Sequence, residues 1–180
     1  RSAPADPLSA ELLDARLARA LDIDDRAVVL VRLAGNEPAV RAQHATLAAL
    51  GGSRELPRAT WERLRGLDTA GGWSLRISRR PSELAHLWHA VHAACGSVNL
   101  RGAHATLARG VMRVFGATGD AGPLATLAGA LQREGTVVGE RLPPGAWSVV
   151  HRAPDRLTTR VRDAFDPFAL LNRGIMGGSA

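Results

Sequence analysis

Residues 73–78, Trp-Ser-Leu-Arg-Ile-Ser, alternate strictly between apolar and polar. Trp73, Leu75 and Ile77 take one side, and Ser74, Arg76 and Ser78 take the other. This period of two is the mark of a strand with one face in a core and one face outside it. Such a strand belongs in an antiparallel sheet, because a parallel sheet covers both faces and reads as a continuous apolar run. The chain therefore needs helices to cover the apolar side.

The other elements supply them. Pro7 to Leu21 predicts a helix, from Leu12/Leu13, Leu17 and Leu21 at helical spacing with Ser9 as N-cap. Ala27 to Leu33 is a β-branched, nearly continuous strand and is expected to be central. Glu37 to Leu50 predicts a helix with Val40, Leu47 and Leu50 inward, stopped by Gly51-Gly52. Ser53 to Leu56 reads as a short strand and Ala59 to Leu67 as a short helix. Pro81 opens a helix that runs to Ala94. Ser97 to Arg101 and Thr106 to Arg109 read as two weak strands around Gly102. Gly110 to Phe115 is a further strand. Leu124 to Arg133 is a helix with Gly135 as a left-handed cap, and Thr136 to Val138 is the last strand. This order predicts an α+β fold, a ferredoxin-like antiparallel sheet with helices packed on one face, plus N- and C-terminal helices.

Composition excludes several classes. Hydrophobic residues are 46% of the 180, which excludes disorder. No apolar run approaches the roughly 20 residues needed to cross a bilayer. Arg1 to Pro7 has no apolar segment of the secretory kind, and a cytoplasmic location is expected. The net charge is +6, but every one of the 23 basic residues is arginine, scattered along the chain without interleaved aromatics. A nucleic-acid partner is not expected from that pattern. Cys95 is alone, so no internal disulfide forms, and it reads as a small buried hydrophobe. His86, His89 and His92 share a helix at three-residue spacing but fan over roughly 120°. They do not converge on a metal.

The last segment, Asp155 to Met176, begins as an amphipathic helix with Leu157, Val161 and Phe165 on one face. It must stop at Asp166-Pro167, because proline disfavours the helical conformation at the residue before it. An apolar turn follows (Phe168, Leu170, Leu171), then Asn172 and Gly174. The run Phe165, Asp166, Pro167, Leu171, Asn172, Gly174 resembles the C-terminal signature of FAD-linked oxidases of the vanillyl-alcohol-oxidase type, among them glycolate oxidase FAD-binding subunits. Arg173 and Ile175 depart from that signature. The resemblance implies three parts. Residues 1–26 would be a linker helix from an FAD domain, 27–154 a ferredoxin-like cap, and 155–180 a helix and hook docking on the FAD domain.

The resemblance also implies a function. The chain would be the substrate-binding part of an FAD-dependent oxidase or dehydrogenase for a small, glycolate-like 2-hydroxy acid, inactive alone. Its partners would be the FAD-binding domain and other oxidase subunits. Within Arg101-Gly-Ala-His-Ala-Thr106, His104 is the candidate base for the substrate hydroxyl. Arg101, with Arg113 and Arg76 on neighbouring strands, would bind the carboxylate. Asn172 and Gly174 would approach the flavin. The chain itself has no Gly-rich dinucleotide fingerprint, no Walker lysine and no Gly-x-Ser-x-Gly. The alternative is a stand-alone ferredoxin-like module that binds a small ligand or serves assembly.

Overall fold

The computed structural model describes residues 6–67, 72–117, 121–150 and 156–168. Among them, six strands form one antiparallel sheet: β1 (Ser9–Leu13), β2 (Val28–Arg32), β3 (Trp73–Ser78), β4 (Leu100–Thr106), β5 (Val111–Gly116) and β6 (Thr136–Arg141). Their spatial order is β2-β1-β4-β5-β3-β6. The helices are α1 (Ala15–Ala20), α2 (Glu37–Ala48), α3 (Ala59–Gly66), α4 (Leu84–Ala94), α5 (Ala121–Leu131), α6 (Trp147–Val150) and α7 (Arg156–Phe165). From β3 to β6 the chain runs β-α-β-β-α-β with its strands ordered β4-β5-β3-β6. That is the split β-α-β, ferredoxin-like topology, and the α+β class is as expected.

The main core lies between the sheet and the pair α4 and α5. Leu75, Ile77, Ala103, Ala105, Met112 and Val114 point into it from alternate strand positions. Leu87 and Val91 of α4 and Leu124, Leu127 and Leu131 of α5 meet them at helical spacing. The strand pattern at 73–78 is thus the pattern of the fold. Gly110 closes the β4–β5 hairpin at φ +61, a conformation that costs glycine little.

The opposite face carries a second, smaller core. Leu13, Leu17, Leu21, Ile23, Leu30, Leu64 and Phe115 are buried there, with Trp61 packed against them. They come from β1, β2, β5, α1, α3 and the turn that follows α1. Gly102 lets α1 lie close on β4, since a Cβ there would sit 2.8 Å from the Leu17 Cβ.

Several expectations are corrected. The helix expected over Pro7–Leu21 is a strand, Ser9–Leu13, followed by a helix, Ala15–Ala20. Asp14, not Ser9, caps the helix, accepting from the Leu17 N–H at 2.7 Å. β1 lies inside the sheet between β2 and β4, so residues 9–20 are part of the sheet domain and not a linker helix before it. β2 pairs only with β1 among the described strands and is an edge strand, not a central one; Val29 is 53% exposed.

α2 buries none of its residues, and Leu50 beyond it is 76% exposed. Residues 53–56 form no strand. The two weak strands expected around Gly102 are one strand, β4, because Gly102 sits at a bulge between pairs of the ladder and not in a turn. Gly135 is not left-handed. Its N–H bonds the Leu131 carbonyl at 3.1 Å, and a Cβ there would meet the Ser78 carbonyl oxygen at 2.7 Å. β6 extends to Arg141.

α7 ends at Phe165, before Asp166-Pro167 as expected, and Leu157, Val161 and Phe165 are exposed along it. The rest of the expected hook, from 169 on, lies outside the described residues. No described helix is long and apolar enough to cross a membrane.

Candidate functional site

The face of the sheet turned away from α4 and α5 carries the polar half of each alternating strand. On β4, His104 stands between Ala103 and Ala105, which face the main core. On β5, Arg113 stands between Met112 and Val114, and on β3 Arg76 stands between Leu75 and Ile77. The register pairs His104 with Arg113 and Arg113 with Arg76. Three of the four expected substrate-side residues therefore form one row across three adjacent strands.

His104 is buried, and so is the group that holds it. Glu11 on β1 lies opposite Thr106. Its Oε2 is 2.9 Å from His104 Nδ1 and accepts from the Thr106 hydroxyl, also at 2.9 Å. Ser9 Oγ donates to Glu11 Oε1 at 3.3 Å. Burial alone pushes the Glu11 carboxyl up. The hydrogen bond and charge of His104, with the Thr106 and Ser9 hydroxyls, outweigh that and hold it below the ordinary value. An ionised Glu11 accepts from His104 Nδ1–H whether the ring is charged or neutral, and in the neutral ring Nε2 is then the acceptor. The Phe115 ring stacks on the imidazole, with centroids 5.6 Å apart and planes at 9°. The imidazole is thus locked by one hydrogen bond and one ring contact, the arrangement that orients a histidine base.

A cleft of about 370 Å³ opens beside this pair. Glu11, His104, Arg113 and Phe115 line its floor, Trp61, Leu64 and Arg65 come from α3, and Arg32 comes from β2. The cleft is open to solvent and rich in cations.

The arginines do not play equal parts. Arg113 is already engaged by Glu140 in a two-point contact, Nε to Oε2 at 2.7 Å and Nη2 to Oε1 at 3.0 Å. Arg76 Nε lies 3.7 Å from the same carboxylate. Arg101 is not with them. It is exposed at the β4 bulge and lines a separate cavity of about 80 Å³, with Ser74 and Arg141, on the other side of Phe115. Asn172 and Gly174 lie outside the described residues.

Sequence reasoning missed Glu11, Arg32 and Arg65. The available signal for Glu11 was Asp14, a better N-cap than Ser9, which would have freed residues 9–13 to be a strand.

Among the described residues, no group of three or more His, Cys, Asp or Glu could hold a metal. His86 pairs with Glu134 at 2.9 Å, His89 is exposed, and His92 packs edge-on against Trp88 with centroids 4.6 Å apart. A flavin dinucleotide does not fit the described residues either. No glycine-rich strand-to-helix turn offers backbone N–H groups to a pyrophosphate, and the two clefts above suit a small molecule.

The chain matches no family model, no curated protein and no solved structure.

Proposed function

We propose that this chain is the substrate-binding part of an FAD-dependent oxidoreductase acting on a small 2-hydroxy acid. The observation that supports it is the buried Glu11–His104 pair beside a cation-lined cleft on the face of the sheet that carries the second core. His104 Nε2 would take the proton of the substrate hydroxyl. Glu11, ionised, would stabilise the imidazolium that results. Arg113 and Arg76, in the same row, would keep the floor of the cleft positive enough for a carboxylate despite Glu140.

The electron half of the reaction needs an acceptor, and FAD carried by a separate FAD-binding domain would supply it. No step is assigned to FAD on this chain. The likeness of residues 165–174 to the C-terminal signature of FAD-linked oxidases supports the flavin assignment.

Trp61 lines the cleft and reports on its occupancy. Titration of the chain with glycolate and lactate, each against its deoxy analogue (acetate, propionate), tests the reading by tryptophan fluorescence and calorimetry. The hydroxy acids should bind more tightly than the deoxy acids, and H104A should abolish the difference. Equal binding of both kinds, or none of either, sinks the reading. Added FAD should bind weakly at most.

A further inference from the structure

We propose that the small cavity on the far side of Phe115 from His104 is a site for one tetrahedral oxyanion of the size of phosphate or sulfate, held by Arg101, Ser74 and Arg141. The site is separate from the cleft beside His104 and needs neither a flavin nor a 2-hydroxy acid.

The sheet itself brings the three residues together. Ser74 on β3 is paired with Phe115 on β5 and with Arg141 on β6. Opposed residues of an antiparallel pair have Cα atoms only about 5 Å apart, so Ser74 and Arg141 are immediate neighbours. On β4, Leu100 pairs with Gly116 and Gly102 pairs with Phe115, which leaves Arg101 as the extra residue of the bulge. A bulge re-aims its unpaired side chain out of the strand's alternation. Arg101 lines the cavity together with Ser74 and Arg141. The row Arg101, Phe115, Ser74, Arg141 thus crosses four adjacent strands.

The Ser74 hydroxyl is the group that calls for a ligand. The residue is 1% exposed, and its Oγ has no hydrogen-bond partner among the described residues. Sealing a hydroxyl from water without a partner costs about 1–3 kcal/mol. A water molecule in the cavity would satisfy it, but the charge of the lining selects an anion. Two of the eight lining residues carry guanidinium groups and none carries a carboxylate. Leu17, Leu67 and Phe115 add apolar walls, which strengthen the attraction between guanidinium and anion.

The arrangement also selects the shape of the ion. Arg101 stands on the β4 side, Arg141 on the β6 side, and Ser74 between them. Donors from three directions suit oxygens at the corners of a tetrahedron better than the flat oxygens of a carboxylate. Guanidinium forks bind such oxygens in pairs. A cavity of about 80 Å³ has room for one such ion and none for a dinucleotide.

The test is calorimetric titration of the chain with inorganic phosphate and with sulfate, against chloride and acetate at fixed ionic strength, alongside melting curves. One phosphate or sulfate should bind per chain and raise the melting temperature, and chloride and acetate should do neither. R101A and R141A should each weaken the affinity roughly tenfold or more, and S74A roughly fivefold or more. In chloride, S74A should melt no lower than the parent, because it removes an unsatisfied hydroxyl, so its lost binding is not lost folding. R32A/R65A, which removes the two cations that β2 and α3 bring to the other cleft, should leave the affinity within about twofold. Absence of saturable phosphate or sulfate binding overturns the proposal and marks a cavity filled by water alone. Binding that survives R101A/R141A, or that is lost in R32A/R65A, overturns it as well.

Discussion

Glu11 and His104 are 93 residues apart in sequence, and their side chains meet at 2.9 Å on neighbouring strands. Each is nearly excluded from water, at 7% and 8% exposure. A carboxylate and an imidazole at such depth stabilise one another, and without Glu11 the imidazole Nδ1 would lose its hydrogen-bond partner.

The pair makes stability depend on pH with a definite sign. Glu11 has its folded-state value below the ordinary 4.5. Its contribution is therefore present above that ordinary value and is lost as pH falls through the lower folded one. Urea unfolding should show E11Q less stable than the parent by about 1–3 kcal/mol at pH 7. Between about pH 5 and pH 3 the gap should narrow as Glu11 takes up its proton in the parent. A gap that is constant over this range would mean that Glu11 is not ionised in the fold.

Gly102 sets the distance between α1 and β4. A methyl group there would meet Leu17 at its Cβ and backbone. G102A should cost about 1–3 kcal/mol by overpacking, whereas G51A, with nothing within 4 Å of the added atom, should be close to neutral. Equal midpoints for the two variants in denaturant would show that α1 does not hold its place on the sheet.

Cys95 is 3% exposed, and burial pushes its thiol up to about 11. The thiolate is the reactive form. At pH 8 the native protein should resist a disulfide reagent over minutes and react fully in guanidinium. Labelling of the folded protein at the rate of a free thiol would contradict the burial.

The two apolar surfaces of the chain should respond oppositely to truncation. Leu87 is fully buried under the sheet, and L87A should cost about 2–5 kcal/mol. Leu157 and Phe165, at 67% and 84% exposure, should each change stability by less than about 0.5 kcal/mol on replacement by alanine. A cost above 1 kcal/mol for F165A, measured by thermal melting, would reveal a packing partner for α7.

Much of the ferredoxin-like unit was legible, because the apolar residues of β3, α4 and α5 recur at clean periods and Met112 and Val114 alternate with Arg113 on β5. Arg76 and Arg113 were legible on their strands, but His104 joins them in one row only because β4 runs unbroken from Leu100 to Thr106, where two strands around Gly102 were expected. The N-terminal strand was hidden for a physical reason. Leu12 faces the main core and Leu13 the second core, so the alternation of two is blurred. Leu13, Leu17 and Leu21 then stand at helical spacing across a strand–helix boundary. Glu11 disappeared into that misreading, and with it the partner of His104. The engagement of Arg113 by Glu140 was equally invisible, because that contact depends on how β6 is seated beside β3. β2 misled in another way. Its apolar run is continuous, yet Leu30 is buried in the second core while Val29 on the opposite side stays exposed.

The antiparallel pair of β1 and β2, joined through α1, has a consequence for how such a cleft arises. The unit from β3 to β6 is a closed topology of its own, and β1 and β2 extend it along the free edge of β4. That extension brings Glu11 and Arg32, while the β3–β6 unit brings His104 and Arg113. The pocket is thus a seam between the β1–β2 extension, α3 and the β3–β6 unit. Exchanging the β1–β2 pair for another of the same register would reprogramme what the histidine meets without rebuilding the scaffold beneath it.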